Sequence, residues 1–316
     1  EHIVAWDQIN LQKKLNSIKL NLPKVQTLES VVAGHIQFQD FIISVPTFNN
    51  QGSITYKGME LFTQFPEGCF WRPPTDNDGV KQGWMSKVSG VRRKWIQEGL
   101  NKLDIKRDFA YTESLTEGDY IQIKSEYQGT NAKATHISVI WAEGNLINFY
   151  ETFHIPYEWD DLPRVGMRFE ISTEFSDLEW LGRGPLESYP DRCNSQLISR
   201  WKSTVDNQYH PYVVPQENGA HQDTQWFSLI SNQGDQLKFN IANASSFSAS
   251  SMHDMDLSES LTISQLETKP TTEVHVDAAV RGLGTGACGP DTLEEFRLRS
   301  GTYEMAWSLE VLRAKD

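Results

Sequence analysis

The stretch SVIWAEGNLINFYETF, Ser138 to Phe153, decides the fold class. Two arms rich in β-branched and aromatic residues meet at Glu143-Gly144-Asn145, a turn signal, so the segment reads as a β-hairpin. The same period of two recurs outward from it. Ile121 and Ile123 alternate with Gln122 and Lys124, and Leu237, Phe239 and Ile241 alternate with polar residues. Val274, Val276, Ala278 and Val280 do so too, and Tyr303, Met305, Trp307, Leu309 and Val311 close the chain. Ile36 and Phe38, then Phe41, Ile43 and Val45, form two runs offset by one residue, which suggests a bulge at Gln39–Asp40. Strands at short spacing with turn residues between them predict an all-β protein built as a large antiparallel sandwich. One stretch departs from the pattern. Trp84, Val88, Val91 and Trp95 fall at helical spacing and predict one short helix, weakened by Gly90.

A chain of 316 residues can bury a large core and needs neither disulfide nor metal for stability. Its formal net charge of −13 disfavours phosphate backbones and anionic lipid, so neither nucleic acid nor membrane is expected as a partner. Cys69, Cys193 and Cys288 are odd in number and far apart, which argues against a disulfide framework or zinc site and suits a reducing, cytoplasmic setting. Residues 1–24 read as two strands, too few for a domain. They are expected to be the end of a preceding β-domain, with residues 25–316 as the main unit.

Four clusters could carry chemistry. In Trp71 to Gly79, two prolines preset the backbone, and Thr75, Asp76, Asn77 and Asp78 can accept sugar hydroxyls or simply cap their own turns. Gly79 allows close backbone approach. In Trp180 to Arg192, Arg183, Glu187, Asp191 and Arg192 can form an ion-pair network at a strand end. Tyr209 to Gly219 places Glu217 beside Asn218, either as a polar site or as a capped turn. Finally, Gly284, Gly286 and Gly289 match a dinucleotide-binding spacing in the wrong context, because Pro290 follows and no helix does.

Taken in order, WRPPTDNDG, WLGRGPLESYPDR, YHPYVVPQENG, RGLGTGACGPD and TYEMAWSLEVL resemble the C-terminal domain of the large β-galactosidases of glycoside hydrolase family 2. The opening HIVAWDQINL is similar to the last strands of the immunoglobulin-like domain preceding it. The resemblance implies an antiparallel super-sandwich of the galactose mutarotase-like kind. It implies further that the two catalytic glutamates of a retaining hydrolase lie in a separate TIM-barrel domain. The family's acid/base glutamate follows an asparagine, and no Asn-Glu pair exists in this sequence.

The segment is therefore expected to hold no catalytic residue and to be inactive alone. Its implied role is to wall the active site for terminal β-D-galactosides and to support an oligomeric assembly, with the barrel and other domains of the same enzyme as partners. The resemblance implies no cofactor or metal here, magnesium and sodium being ions of the barrel domain. The substrate-pocket loops map to Asp76, Asn77, Asp78, Gly79 and Cys288. Cys288 stands where the family's glycine-rich loop carries a sugar-stacking tryptophan, and a thiol offers no stacking face. Some members split this region onto a small subunit, against which residues 1–22 argue.

Two other classes remain to be separated. A stand-alone carbohydrate-binding module needs an exposed aromatic platform. A mutarotase-like epimerase needs a histidine and a carboxylate reaching an anomeric hydroxyl.

Overall fold

The computed structural model describes residues 8, 35–38, 40–46, 51–83, 86, 90–112, 120–242 and 246–314. The proposed immunoglobulin-like remnant at 1–24 thus lies outside the described residues except for Gln8, which pairs through its side chain with the backbone of Ile198.

The strands in chain order are β1 (His35–Phe38), β2 (Phe41–Ser44), β3 (Ser53–Tyr56), β4 (Met59–Glu60), β5 (Gln64–Cys69), β6 (Asp104–Thr112), β7 (Tyr120–Gln128), β8 (Lys133–Glu143), β9 (Leu146–Ile155) and β10 (Arg164–Ser172). They continue as β11 (Asp177–Gly184), β12 (Leu197–Thr204), β13 (His221–Gln222), β14 (Trp226–Ile230), β15 (Gln236–Ile241), β16 (Ser246–Ser250), β17 (Thr271–Val280) and β18 (Gly301–Leu312). β1 to β4 form a four-stranded sheet. A five-stranded sheet runs β13-β16-β17-β10-β5, and a nine-stranded sheet runs β12-β11-β14-β15-β18-β9-β8-β7-β6. Every recorded strand pairing is antiparallel.

The two larger sheets face each other across an aromatic seam. Phe169 of β10 stacks on Trp307 of β18 and Phe239 of β15, each at 5.4 Å between ring centroids. Phe247 of β16 stacks on Phe227 of β14 at 4.2 Å, and Phe149 of β9 stacks on Trp307 at 3.9 Å. All six rings are buried, so offset aromatic packing adds to the burial of apolar area that holds the layers together. The strand runs read in the sequence place Phe149, Phe239 and Trp307 inward, and the super-sandwich expectation stands.

One local reading holds and others need adjustment. The hairpin at 138–153 is present, with Glu143 opposite Leu146 and Gly144 at a φ of +61° in the turn. Phe38 and Phe41, by contrast, face each other as cross-strand partners, so the offset there marks a hairpin rather than a bulge. The helix begins later than the spacing of Trp84 and Val88 suggests. It spans Arg92–Gln97 and buries Trp95, while Trp84 and Val88 lie outside the described residues. Gly90 explains the late start. It has φ +83°, and a Cβ there would come within 2.1 Å of the Asp78 carbonyl oxygen, so the chain turns sharply before the helix can begin. A second short helix, Asp254–Glu259, lies between β16 and β17.

Candidate functional site

The four motif loops meet over the face of the five-stranded sheet that points away from the aromatic seam. Asp78 organises the first. It is fully buried, receives a forked pair of bonds from Arg72 Nη2 at 2.8 and 3.0 Å, and accepts from the Thr75 backbone N–H and hydroxyl at 2.9 and 3.0 Å. A carboxylate so saturated is a fixed structural charge. Asp76 lends its backbone N–H to Gln216 Oε1 at 3.0 Å, which ties the first loop to the third.

Asn77 reaches the glycine-rich loop. Its Nδ2 donates to the Gly284 carbonyl at 2.7 Å, and its Oδ1 accepts from the Ala287 N–H at 3.2 Å. The approach is close because residue 286 has no side chain. A Cβ there would lie 2.5 Å from the Asn77 carbonyl oxygen. Asp191, from the second motif, clasps the same loop from the other side. It accepts from the N–H groups of Leu283 and Gly284 at 2.9 and 2.7 Å and from the Thr292 hydroxyl at 2.8 Å. Burial pushes its carboxyl up, but these bonds outweigh it and hold the group below its ordinary range.

The structure thus brings Asp76, Asn77, Asp78 and Gly79 together with the loop that carries Cys288. Asp78 is buried beneath them rather than displayed. Cys288 is exposed on the loop surface, its N–H bonded to the Thr285 carbonyl at 3.1 Å.

In the second motif, Arg192 pairs with Glu187 at 2.6 Å as its spacing suggests. Arg183 turns instead to Asp223, at 2.5 Å. Glu187 also accepts from the Tyr212 hydroxyl at 2.5 Å and the Gly219 N–H at 2.9 Å, so it joins the second loop to the third.

Beneath the loops lies a charge cluster that sequence reasoning missed. Arg164 is fully buried and donates to Glu217 at 2.8 Å and Asp254 at 3.1 Å, with Asp277 3.2 Å from its Nε. Burial pushes the Glu217 carboxyl above its ordinary range against the pull of Arg164. Asp254 is also penalised by burial, but His275 and Arg164 hold it below the usual carboxylate range. Burial and Arg164 disfavour a second proton on His275, whereas Asp254 favours one strongly. The 2.9 Å approach of Arg164 Nη1 to Nδ1 decides the matter, because that nitrogen must accept; the ring's single proton then sits on Nε2.

Cys69, Asp254 and His275 converge closely enough to suggest a cation site, yet Arg164 already donates to two of the three. The guanidinium does there what a metal would do. Along β17, Glu273, His275 and Asp277 alternate with Val274 and Val276, a pattern that ordinarily marks a solvent face. Only the overlying loops make that face an interior. A second partner ion, Arg281, is likewise buried, gripping Asp161 at 2.6 Å and Asp291 at 2.7 Å at the root of the glycine-rich loop.

The chain is similar to several known proteins. The family model described as "Beta galactosidase small chain" matches residues 47–309. A β-galactosidase from Kluyveromyces lactis is 28% identical, covering 98% of this chain and 30% of that protein. One from Arthrobacter sp. is 27% identical, covering 80% of this chain and 26% of that protein. This chain therefore spans less than a third of the length of these curated relatives. Among solved structures, a putative aldose 1-epimerase from Escherichia coli K12 is 10% identical with a TM-score of 0.46, covering 87% of this chain and 96% of that one.

Proposed function

The chain belongs to the β-galactosidase small-chain family, and from that premise we propose that it is the non-catalytic C-terminal domain of a retaining β-galactosidase. In this reading its loops wall the cleft in which terminal β-D-galactosides are cleaved by carboxylates held elsewhere in the enzyme. It also packs against the other domains to support assembly.

The observation that carries the reading is the state of the carboxylates around the motif loops. Glycoside hydrolysis needs one carboxyl to donate a proton and another, about 5 Å away in a retaining enzyme, to attack the sugar. Asp78 is spent on Arg72 and Thr75, Asp191 on backbone N–H groups, Glu187 on Arg192 and Tyr212, and Glu217 on Arg164. Asp161 and Asp291 are held by Arg281. Each is a building element of a rigid wall, and a wall is what the loops are suited to be.

Two features weigh against the alternatives. A binding module would display an aromatic platform, and Tyr157 is the one strongly exposed aromatic among the described residues. An epimerase would open its histidine and carboxylate to substrate, whereas His275 and Glu217 are buried under the loops. No helix among the described residues is long and apolar enough to cross a membrane.

The test is a truncation. Removing this segment from the full-length enzyme should abolish galactoside hydrolysis, and adding the purified segment back should restore part of it. A truncated enzyme with unchanged KM and kcat would refute the wall.

A further inference from the structure

A cleft of about 250 Å³ opens between the first motif loop and the second helix. Trp71 forms one wall, fixed by its indole N–H on the Ser258 hydroxyl at 2.9 Å. Ile96, Met255 and Leu261 supply apolar surface, and Lys81 and Arg92 bring two positive charges.

The two cations differ in what they still need. Lys81 donates to the carbonyls of Pro215, Leu257 and Ser260, which uses all three of its protons and fixes its charge in place. Arg92 has no such side-chain partners among the described residues. Its Nε is buried without a hydrogen-bond partner among the described residues. Glu259, the carboxylate among the lining residues, is itself exposed to solvent. Burial, and then Arg92, push Lys81 down to about 8 against the pull of Asp76, and burial lowers Arg92 as well. Asp76 offsets part of that cost at Lys81, whereas the partly desolvated Arg92 guanidinium has no ion pair among the described residues and stays costly until a counter-charge arrives. In a chain of net charge −13, a locally cationic cleft stands out.

We propose that the cleft between Trp71, Lys81 and Arg92 binds a small oxyanion, a phosphate or carboxylate group carried on a compact apolar body. The planar guanidinium of Arg92 would take two oxygens of the anion, Lys81 would supply field without direct bonding, and the Trp71 wall would pack the ligand's body. A neutral sugar would leave the Arg92 charge uncompensated.

Calorimetric titration of the 316-residue chain with inorganic phosphate at low ionic strength tests it. One saturable site is expected, weakened roughly tenfold or more by Arg92→Gln and unchanged by Arg93→Gln, whose side chain is exposed next door. Added salt should weaken it further. Should Arg92→Gln fail to fold, Ile96→Glu places a competing carboxylate at the cleft and should abolish binding equally; Ile96 is 40% exposed and tolerates the change. The proposal is overturned by any of three results: no saturable heat, equal weakening by Arg93→Gln, or galactose rather than phosphate bound in an Arg92-dependent way.

Discussion

Asn77 and Gly284 lie 207 residues apart in sequence and are joined by a 2.7 Å hydrogen bond from side-chain amide to backbone carbonyl. With the return bond from Ala287 to the same side chain, one amide group sets the distance between the first motif loop and the glycine-rich loop. Two consequences follow for an enzyme that uses these loops as a wall.

Asn77→Ala removes both bonds, worth roughly 1–2 kcal/mol together. In the assembled enzyme it should raise KM for galactosides several-fold and leave kcat nearly unchanged, since the chemistry is elsewhere. In the isolated chain, amide exchange at Ala287 should quicken. Unchanged exchange at Ala287 would mean that the bond does not hold the loop.

Cys288→Trp places a stacking ring on the exposed face of that loop. Binding of an acceptor sugar by the full enzyme should tighten by roughly 1–2 kcal/mol, with the chemical step unaltered. Transglycosylation yield against acceptor concentration measures this directly, and a yield curve that does not move would remove residue 288 from the sugar's path.

Arg164 contacts three buried acids at once, Glu217, Asp254 and Asp277. Arg164→Met strands them, and breaking a buried ion pair in this way costs about 3–5 kcal/mol. Urea denaturation should show a loss of that size, while Cys288→Ser stays within about 0.5 kcal/mol as an exposed substitution.

His221 supplies a pH dependence. It is buried against Trp180, with ring centroids 4.4 Å apart; its ring nitrogens contact the Arg183 carbonyl at 3.1 Å and Gln208 Oε1 at 2.8 Å, and burial pushes it down to about 4 against the pull of the Arg183 carbonyl. The folded state then binds fewer protons than the unfolded state between pH 4 and 6.5. Stability is therefore present above that window and is lost as pH falls through it, by up to about 3 kcal/mol from this group. Across the same window His221→Gln should flatten the decline in unfolding free energy relative to the parent. Parallel curves would show that other groups carry the acid sensitivity.

Most of the fold was legible because the core obeys a single rule. Phe149, Phe239 and Trp307 all lie on alternating runs whose apolar face is the face between the sheets. Phe38 and Phe41 were harder, since a tight hairpin and a bulge both shift the phase of alternation, and only cross-strand pairing separates them. The helix start was hidden by Gly90, whose constraint is the backbone of Asp78 and not its neighbours in sequence. Within the site, the loops were found through their motifs. Arg164, Asp254 and His275 were not, because a charged residue alternating with valine looks solvent-exposed until something else in the chain covers it. The contact between Asn77 and residues 284–287 is likewise invisible locally.

The central claim is that this domain shapes a galactosidase site without performing the chemistry. Hydrolysis of a chromogenic β-D-galactoside by the purified 316-residue chain, against a buffer control, tests it most directly. The account predicts a rate indistinguishable from buffer at any pH. Turnover that scales with the concentration of the pure chain would contradict it.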